Sequence, residues 1–476
     1  MNQATHYTHC KIVIETQSPL AINTGKRETG FDTELARDVN GLPLIPATAI
    51  AGVWSHLTLN TLGEQQHHQW FGSTQAASRV TISNAKLLNS KNQAVSNFIL
   101  PDHIASDPIL ALASKNRPHH RERVALNDRG VAKEHAKFDQ ILLPTGMRFS
   151  LSLSFYHNNA EDDLAQWMAL LALWGNRRMS FGSSTRNGLG RISVISTQQK
   201  TFSLADGAHI ADEILDYRNT SVVNDRTLQA HMTNTTNSGF SASLPIKAMD
   251  NWRCGSGADL LGSHSDAELA NQISIISYSE PRVTWNDNQA TIANNQAVLC
   301  GSSIKGVLAH RLGFHYRRLT SQWAEQAEEW SDEQWHTRPD EVKHILGVHD
   351  TEDNANNLAG KLFVDDSIIS YTHTVIRHHN SIDRFTGGVK QGALFTEELL
   401  YQPKFTLNLH ISDEAAISPT LKKALLATIN DIELGLLPIG AGSGRGNSLV
   451  QKDPVNSQHW IHNFDQIPTH QAEEIA

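Results

Sequence analysis

Three cysteines in 476 residues, Cys10, Cys254 and Cys300, are too few and too scattered for a disulfide framework or a structural zinc site, so they read as buried thiols. Long apolar runs are missing too. The longest near a helical pattern covers residues 168–174, and the amino terminus lacks the basic-then-apolar layout of a signal peptide. A cytoplasmic protein with no membrane contact is the expectation. Positive charge is short: 40 Lys and Arg against 49 Asp and Glu leave a net −9, which argues against indiscriminate coating of nucleic acid. No loop of Walker or Rossmann spacing occurs, which weighs against a phosphate-binding metabolic enzyme. The 25 histidines include pairs such as His67-His68, His119-His120 and His378-His379, none at a metal-ligand spacing.

What is present is unevenly spread. Residues 115–137 hold seven Lys or Arg against three acids, and 177–191 hold four Arg with no acid, whereas acids dominate 325–341. The basic segments are local, and an acidic helical stretch dilutes the total.

The chain also repeats itself. Ile45-Pro46-Ala47-Thr48-Ala49-Ile50-Ala51-Gly52-Val53 recurs as Leu299-Cys300-Gly301-Ser302-Ser303-Ile304-Lys305-Gly306-Val307, each a strand end entering a helix. Lys133-Glu134-His135-Ala136-Lys137-Phe138 matches Lys390-Gln391-Gly392-Ala393-Leu394-Phe395, and an alternating strand pattern follows both. A third pair is an amphipathic helix running into a glycine-rich loop. Leu164, Trp167, Met168 and Leu171 precede 182–190, and Leu421, Leu425 and Ile429 precede 440–446, with Asn159 and Ser418-Pro419 as helix starts. The pairs keep one order and a similar offset, so the chain is a duplication of one unit. Each copy reads strand, helix, strand, long insertion, strand, helix, glycine loop, strand. That order predicts an α+β, ferredoxin-like βαββαβ unit whose helices cover one face of an antiparallel sheet and leave the other free.

Gly301-Ser302-Ser303-Ile304-Lys305-Gly306 resembles the Pro-Gly-Ser-Ser-Leu/Ile-Lys-Gly helix start of RAMP-superfamily proteins, and 47–52 is a degraded version without the lysine. The glycine-rich loops, with Arg186, Arg191 and Arg445, complete the resemblance, since glycine admits a phosphate and arginine neutralises it. The resemblance implies two tandem RAMP domains, 1–200 and 239–476, joined by a linker at 201–238, with an acidic helical insertion near 320–345. It implies hairpin thumbs at about 84–142 and 371–400, of the kind that wedge into a guide–target duplex in type III CRISPR effectors. The implied RNA-binding residues are Arg37, Thr48, Lys133, Arg186, Arg191, Ser302, Ser303, Lys305, Arg384, Phe385, Lys390 and Arg445.

Family members that cut target RNA use an aspartate shortly before an Arg-Asp pair and the helix start. In that register Asp32 is the catalytic and possible Mg²⁺-binding residue, and Arg37-Asp38 brace its loop. The second copy offers Glu280 in place of an aspartate, which implies an inactive copy. The implied partners are guide RNA (crRNA), complementary target RNA and other effector subunits, among them a large subunit and further RAMP subunits. Two alternatives stay open: a binding-only backbone subunit, and a guide-processing endoribonuclease using a histidine such as His56 or His310.

Overall fold

The computed structural model describes residues 4–26, 33–126, 132–205, 207, 209–233, 239–263, 267–327, 329–331, 334, 337–348, 357–412 and 416–470. Period-two alternation builds the first sheet. On the strand His6–Thr16, Cys10, Ile12 and Ile14 face the helices, while Tyr7, His9 and Lys11 face the other way. This strand pairs antiparallel with Arg148–His157 on one side and Ile192–Ser203 on the other, and Ala85–Leu87 extends the sheet beyond Arg148–His157. The helices Ala47–Leu62 and Glu161–Ala172 close the core through Trp54, Trp167 and Trp174, all fully or nearly fully buried.

The second half repeats this order. Leu362–Val364, Lys404–Ile411, Phe240–Ala248 and Val450–Lys452 are neighbours in an antiparallel sheet, covered by the helices Gly301–Leu319 and Pro419–Glu433. Strand order and helix placement match between halves, so the fold is two tandem ferredoxin-like domains. From each a hairpin protrudes: His119–Leu126 with Ala132–Leu142, and Thr374–His379 with Phe395–Tyr401.

Helix starts follow two chemistries. Ser418 caps its helix by accepting from the Leu421 amide at 3.1 Å, with Pro419 in the first turn. Asn159 does not cap: it sits at φ 60° ahead of a helix that begins at Glu161, where Glu161, Asp162 and Asp163 answer the helix dipole instead.

Two features depart from the expected plan. The open face of the first sheet is not free, because the helix Ile210–Asn219 lies over it: Tyr217 packs on Tyr7 and Phe202, and Lys11 donates to the Tyr217 and Thr220 carbonyls at 2.8 and 3.1 Å. A second helix in the stretch read as a linker, Arg226–Thr233, contributes Leu228 and Met232 to the first core. The two cores are also stitched together. The hairpin Ser279–Asn286 with Gln289–Leu299 belongs to the second half by sequence, yet its Val283 and Ala290 are buried in the first core.

Candidate nucleic-acid interface

The glycine-rich loops are superposable in their local bonding. Ser184 and Gly442 both adopt the left-handed conformation, each is followed by one turn of 3₁₀ helix, and Gly188 and Gly446 close the turns at φ 96° and 79°. Phe181 donates its amide to the Gly190 carbonyl at 2.9 Å, as Ile439 does to Ser448 at 3.0 Å. Their surroundings differ.

The first loop is seated on the second half. Arg177 and Arg191 both pair with Asp365, the latter at 2.8 Å, and Arg186 donates to the Gly360 carbonyl while lying over the Phe363 ring. Asp366 stands beside them and accepts the Gly301 amide at 2.7 Å, capping the helix that carries the Gly-Ser-Ser-Ile-Lys-Gly motif. The positive pole of that helix is therefore already met by a carboxylate. Of the motif residues, Ser303 is exposed and Ser302 half-buried, while Lys305 turns inward and donates to the Leu362 carbonyl at 3.3 Å. Burial brings the Lys305 ammonium down to about 8, helped by Arg186 and Arg338. In the first half Asn84 occupies the equivalent capping place, accepting from the Ala47 amide at 2.8 Å, and Thr48 beside it is exposed.

A buried ion network joins the halves next to this loop. Arg121, from the first hairpin, reaches both Glu280 oxygens at 2.9 and 3.0 Å and Asp366 at 2.6 Å, and His119 bonds the Tyr278 hydroxyl at 2.7 Å. Burial works to raise the Glu280 carboxyl, but Arg121 and His119 together overcome it and hold it at about 2. Asp366, which shares the same guanidinium, is raised by burial. Glu280 thus serves the interface. Arg37 is committed in the same sense, donating to the carbonyls of Gly41, Ala113 and Lys115, while Asp38 accepts from the Asn40 and Leu42 amides at 2.8 and 2.9 Å. These two residues brace the loop that leads to the helix start, as the sequence pattern implied.

The second loop is open. Arg445 is 40% exposed, lies over the Phe395 ring and stands 3.9 Å from the fully buried Glu397. Glu397 also takes His379 at 2.7 Å and the Asn447 amide at 2.9 Å, which ties the hairpin base to the loop. At the far end of the same hairpin Arg384, Phe385 and Lys390 are all exposed, Phe385 completely. Asp383 holds this tip by accepting from the Phe385 and Thr386 amides at 2.8 and 3.0 Å. Lys133 lies on the returning strand of the first hairpin, whose exposed Val124, Leu126 and Phe138 form its outer end with Arg123 near the Phe138 ring. Between the halves a cleft of about 510 Å³ opens on the free face of the second sheet, lined by Arg191, Arg282, Lys404, Thr406 and Asn408 among others.

Asp32 lies outside the described residues. Among the described residues no group of three or more His, Cys, Asp or Glu side chains is placed to hold a metal ion, and no helix is long and apolar enough to cross a membrane. His56 is exposed and hydrogen-bonded to Asn60 at 3.1 Å. The interface residues Arg121, Glu280 and Asp366 escaped sequence reading as a unit. The adjacent acids Asp365-Asp366 between two strands were the one available signal, since carboxylates are rarely buried without a cationic partner.

The RAMP superfamily profile matches residues 13–193 and 245–450, one match in each half. The chain belongs to the RAMP superfamily. No curated protein matches the sequence. Among solved structures, a chain in the cryo-EM structure of the Type III-B Cmr-beta bound to cognate target RNA is similar at 15% identity and a TM-score of 0.29. The similarity covers 42% of this RAMP protein and 62% of that chain.

Proposed function

We propose that this RAMP protein is a guide-RNA-binding backbone subunit of a type III CRISPR effector, holding the guide–target duplex and cleaving target RNA at one site in its first domain. The observation that carries the reading is the second hairpin. A fully exposed aromatic ring flanked by Arg384 and Lys390, on a rigid two-stranded arm whose base is anchored to a glycine-rich loop, is suited to stacking on bases while its cations meet phosphates. The first hairpin, with Arg123 and Phe138, offers the same combination in a second place. The cleft lined by Arg191, Arg282 and Lys404 gives the backbone a basic track between the two.

Cleavage is assigned to Asp32, through attack of a 2′-hydroxyl on its adjacent phosphate, with Mg²⁺ neutralising charge when bound. Glu280 is unavailable for a second cut, because Arg121, His119 and Tyr278 surround it. End-labelled complementary RNA, incubated with the assembled effector and Mg²⁺, tests the assignment. Asp32→Ala is expected to abolish one fragment while guide and target binding persist. Unchanged fragments in position and yield would leave a binding-only subunit. Processing of guide precursor without metal, lost on His56→Ala, would favour the endoribonuclease alternative.

A further inference from the structure

The two halves meet through one surface of the first, and the second half carries the equivalent surface uncovered. Equivalence is fixed by backbone bonds: Gln17 donates to Arg191 as Met249 donates to Leu449, at 2.8 and 3.0 Å, and both positions open the segment after a central strand. Gly146 and Gln402 share a positive φ of 87° and 46°, which aligns Thr145 with Tyr401. The turn Asn176-Arg177-Arg178 before the first loop corresponds to Leu434-Gly435-Leu436 before the second.

In the first half this surface is occupied. Thr145 bonds the Val283 amide at 2.9 Å, Gly146 accepts from the Trp285 indole at 2.8 Å, and Arg177 and Arg191 meet Asp365. In the second half the same positions are apolar and open: Met249, Tyr401, Leu434, Leu436 and Leu449 are 38%, 42%, 59%, 58% and 45% exposed. Five such side chains gathered at one end of a domain mark a contact surface rather than ordinary scattered exposure.

A second copy of this chain does not fit there. The place corresponding to Asp365-Asp366 is Ser83-Asn84 in the first half: Asp365 and Ser83 donate to the equivalent carbonyls of Asn408 and Ser152, and Asp366 and Asn84 cap equivalent helices. These polar residues offer an apolar face nothing to bury against. The bridging hairpin Ser279–Asn286 with Gln289–Leu299 also has no counterpart among the described residues of the first half, where the isolated bridges Asn23 to Leu35 and Arg37 to Pro43 span that place.

We propose that the end of the second half formed by Met249, Tyr401, Leu434, Leu436 and Leu449 docks a separate polypeptide of the same βαββαβ fold, in the way the second half docks on the first. That partner presents an apolar face beside the start of its own first helix, where Asp365 stands here. The inference deepens the effector reading, since it concerns a neighbour within that assembly, but it does not depend on where RNA binds.

The test places the photo-crosslinker p-benzoylphenylalanine at Leu449, and separately at Leu436, in the complex purified from cells carrying the complete gene cluster. The expected result is a cross-link to a different chain of RAMP fold, near its first helix start. Leu436→Asp with Leu449→Asp should release that chain by at least tenfold weaker retention while guide-RNA affinity stays within twofold. A cross-link to this chain's own residues near Ser83, to RNA, to a chain of another fold, or to nothing overturns the proposal. Loss of guide RNA from the double variant would overturn it too, since the surface would then serve RNA. If the wild-type chain carries no guide RNA and yet gives the expected cross-link, the RNA reading fails and this one stands.

Discussion

Arg121 and Asp366 come from opposite halves of the chain and meet at 2.6 Å inside the protein, with Asp366 at the same time capping the helix at Gly301. One guanidinium holds two carboxylates, Asp366 and Glu280, in a site from which water is largely excluded. Removing the cation leaves two buried acids facing each other. Arg121→Met should therefore destabilise the protein by about 3–5 kcal/mol in urea unfolding. Adding Glu280→Gln and Asp366→Asn should recover most of the loss, because an amide at 366 reproduces the cap that Asn84 provides in the first half.

The same site sets an acid limit. The Glu280 carboxyl is held at about 2 against an ordinary 4.5, so its contribution is complete above pH 4.5 and is lost as pH falls towards 2. In that window the unfolded chain binds the extra proton, and stability should rise with pH by up to about 1.4 kcal/mol per unit from this group. Glu280→Gln should flatten the slope of unfolding free energy against pH between 2.5 and 4.5; an unchanged slope would mean the carboxylate is not so held.

Lys305 offers a trade between stability and binding. Its ammonium is disfavoured by burial, so Lys305→Met should raise the melting temperature at pH 7, by an amount corresponding to about 1–2 kcal/mol. A phosphate would favour the charged form. RNA affinity of the wild type should accordingly fall by up to about tenfold per unit above pH 8, where binding requires proton uptake, and Lys305→Arg should remove that dependence. Isothermal titration in two buffers of different ionisation enthalpy reads the proton directly.

The arginines of the two glycine loops should now behave differently. Arg445→Ala is expected to shallow the slope of log affinity against log salt by about one, as for a lost phosphate contact. Arg186→Ala should instead lower stability, because its guanidinium serves the Gly360 carbonyl and the Phe363 ring across the halves. Equal salt slopes in both variants would contradict the division of labour.

Much of the fold was readable because hydrophobic period and turn residues are local signals. The period-two stripe Cys10, Ile12, Ile14 and the Ser418-Pro419 start each specify their element without help from distant chain. The repeat then supplied the tandem plan. What stayed hidden depends on pairing across long separations. Nothing near Val283 indicates that it belongs to the first core, and the polar composition around Tyr217 masks a helix held by one buried ring on Tyr7 and Phe202. The exposed hairpin residues Arg384, Phe385 and Lys390 were legible because they need no partner, whereas Arg186 and Arg191 looked equally free until the acids at Asp365 and the carbonyl at Gly360 came beside them.

The account rests on the second hairpin as a stacking arm for guide-bound RNA, and sequencing the RNA that co-purifies with the chain tests it most directly. Wild-type protein from cells expressing a CRISPR array should carry guide RNA in near-stoichiometric amount. Phe385→Ala with Arg384→Ala should keep the fold but lower target affinity by about 2–4 kcal/mol, from one lost stack and one lost phosphate contact. Wild-type protein free of RNA, or carrying fragments unrelated to the array, would contradict the account.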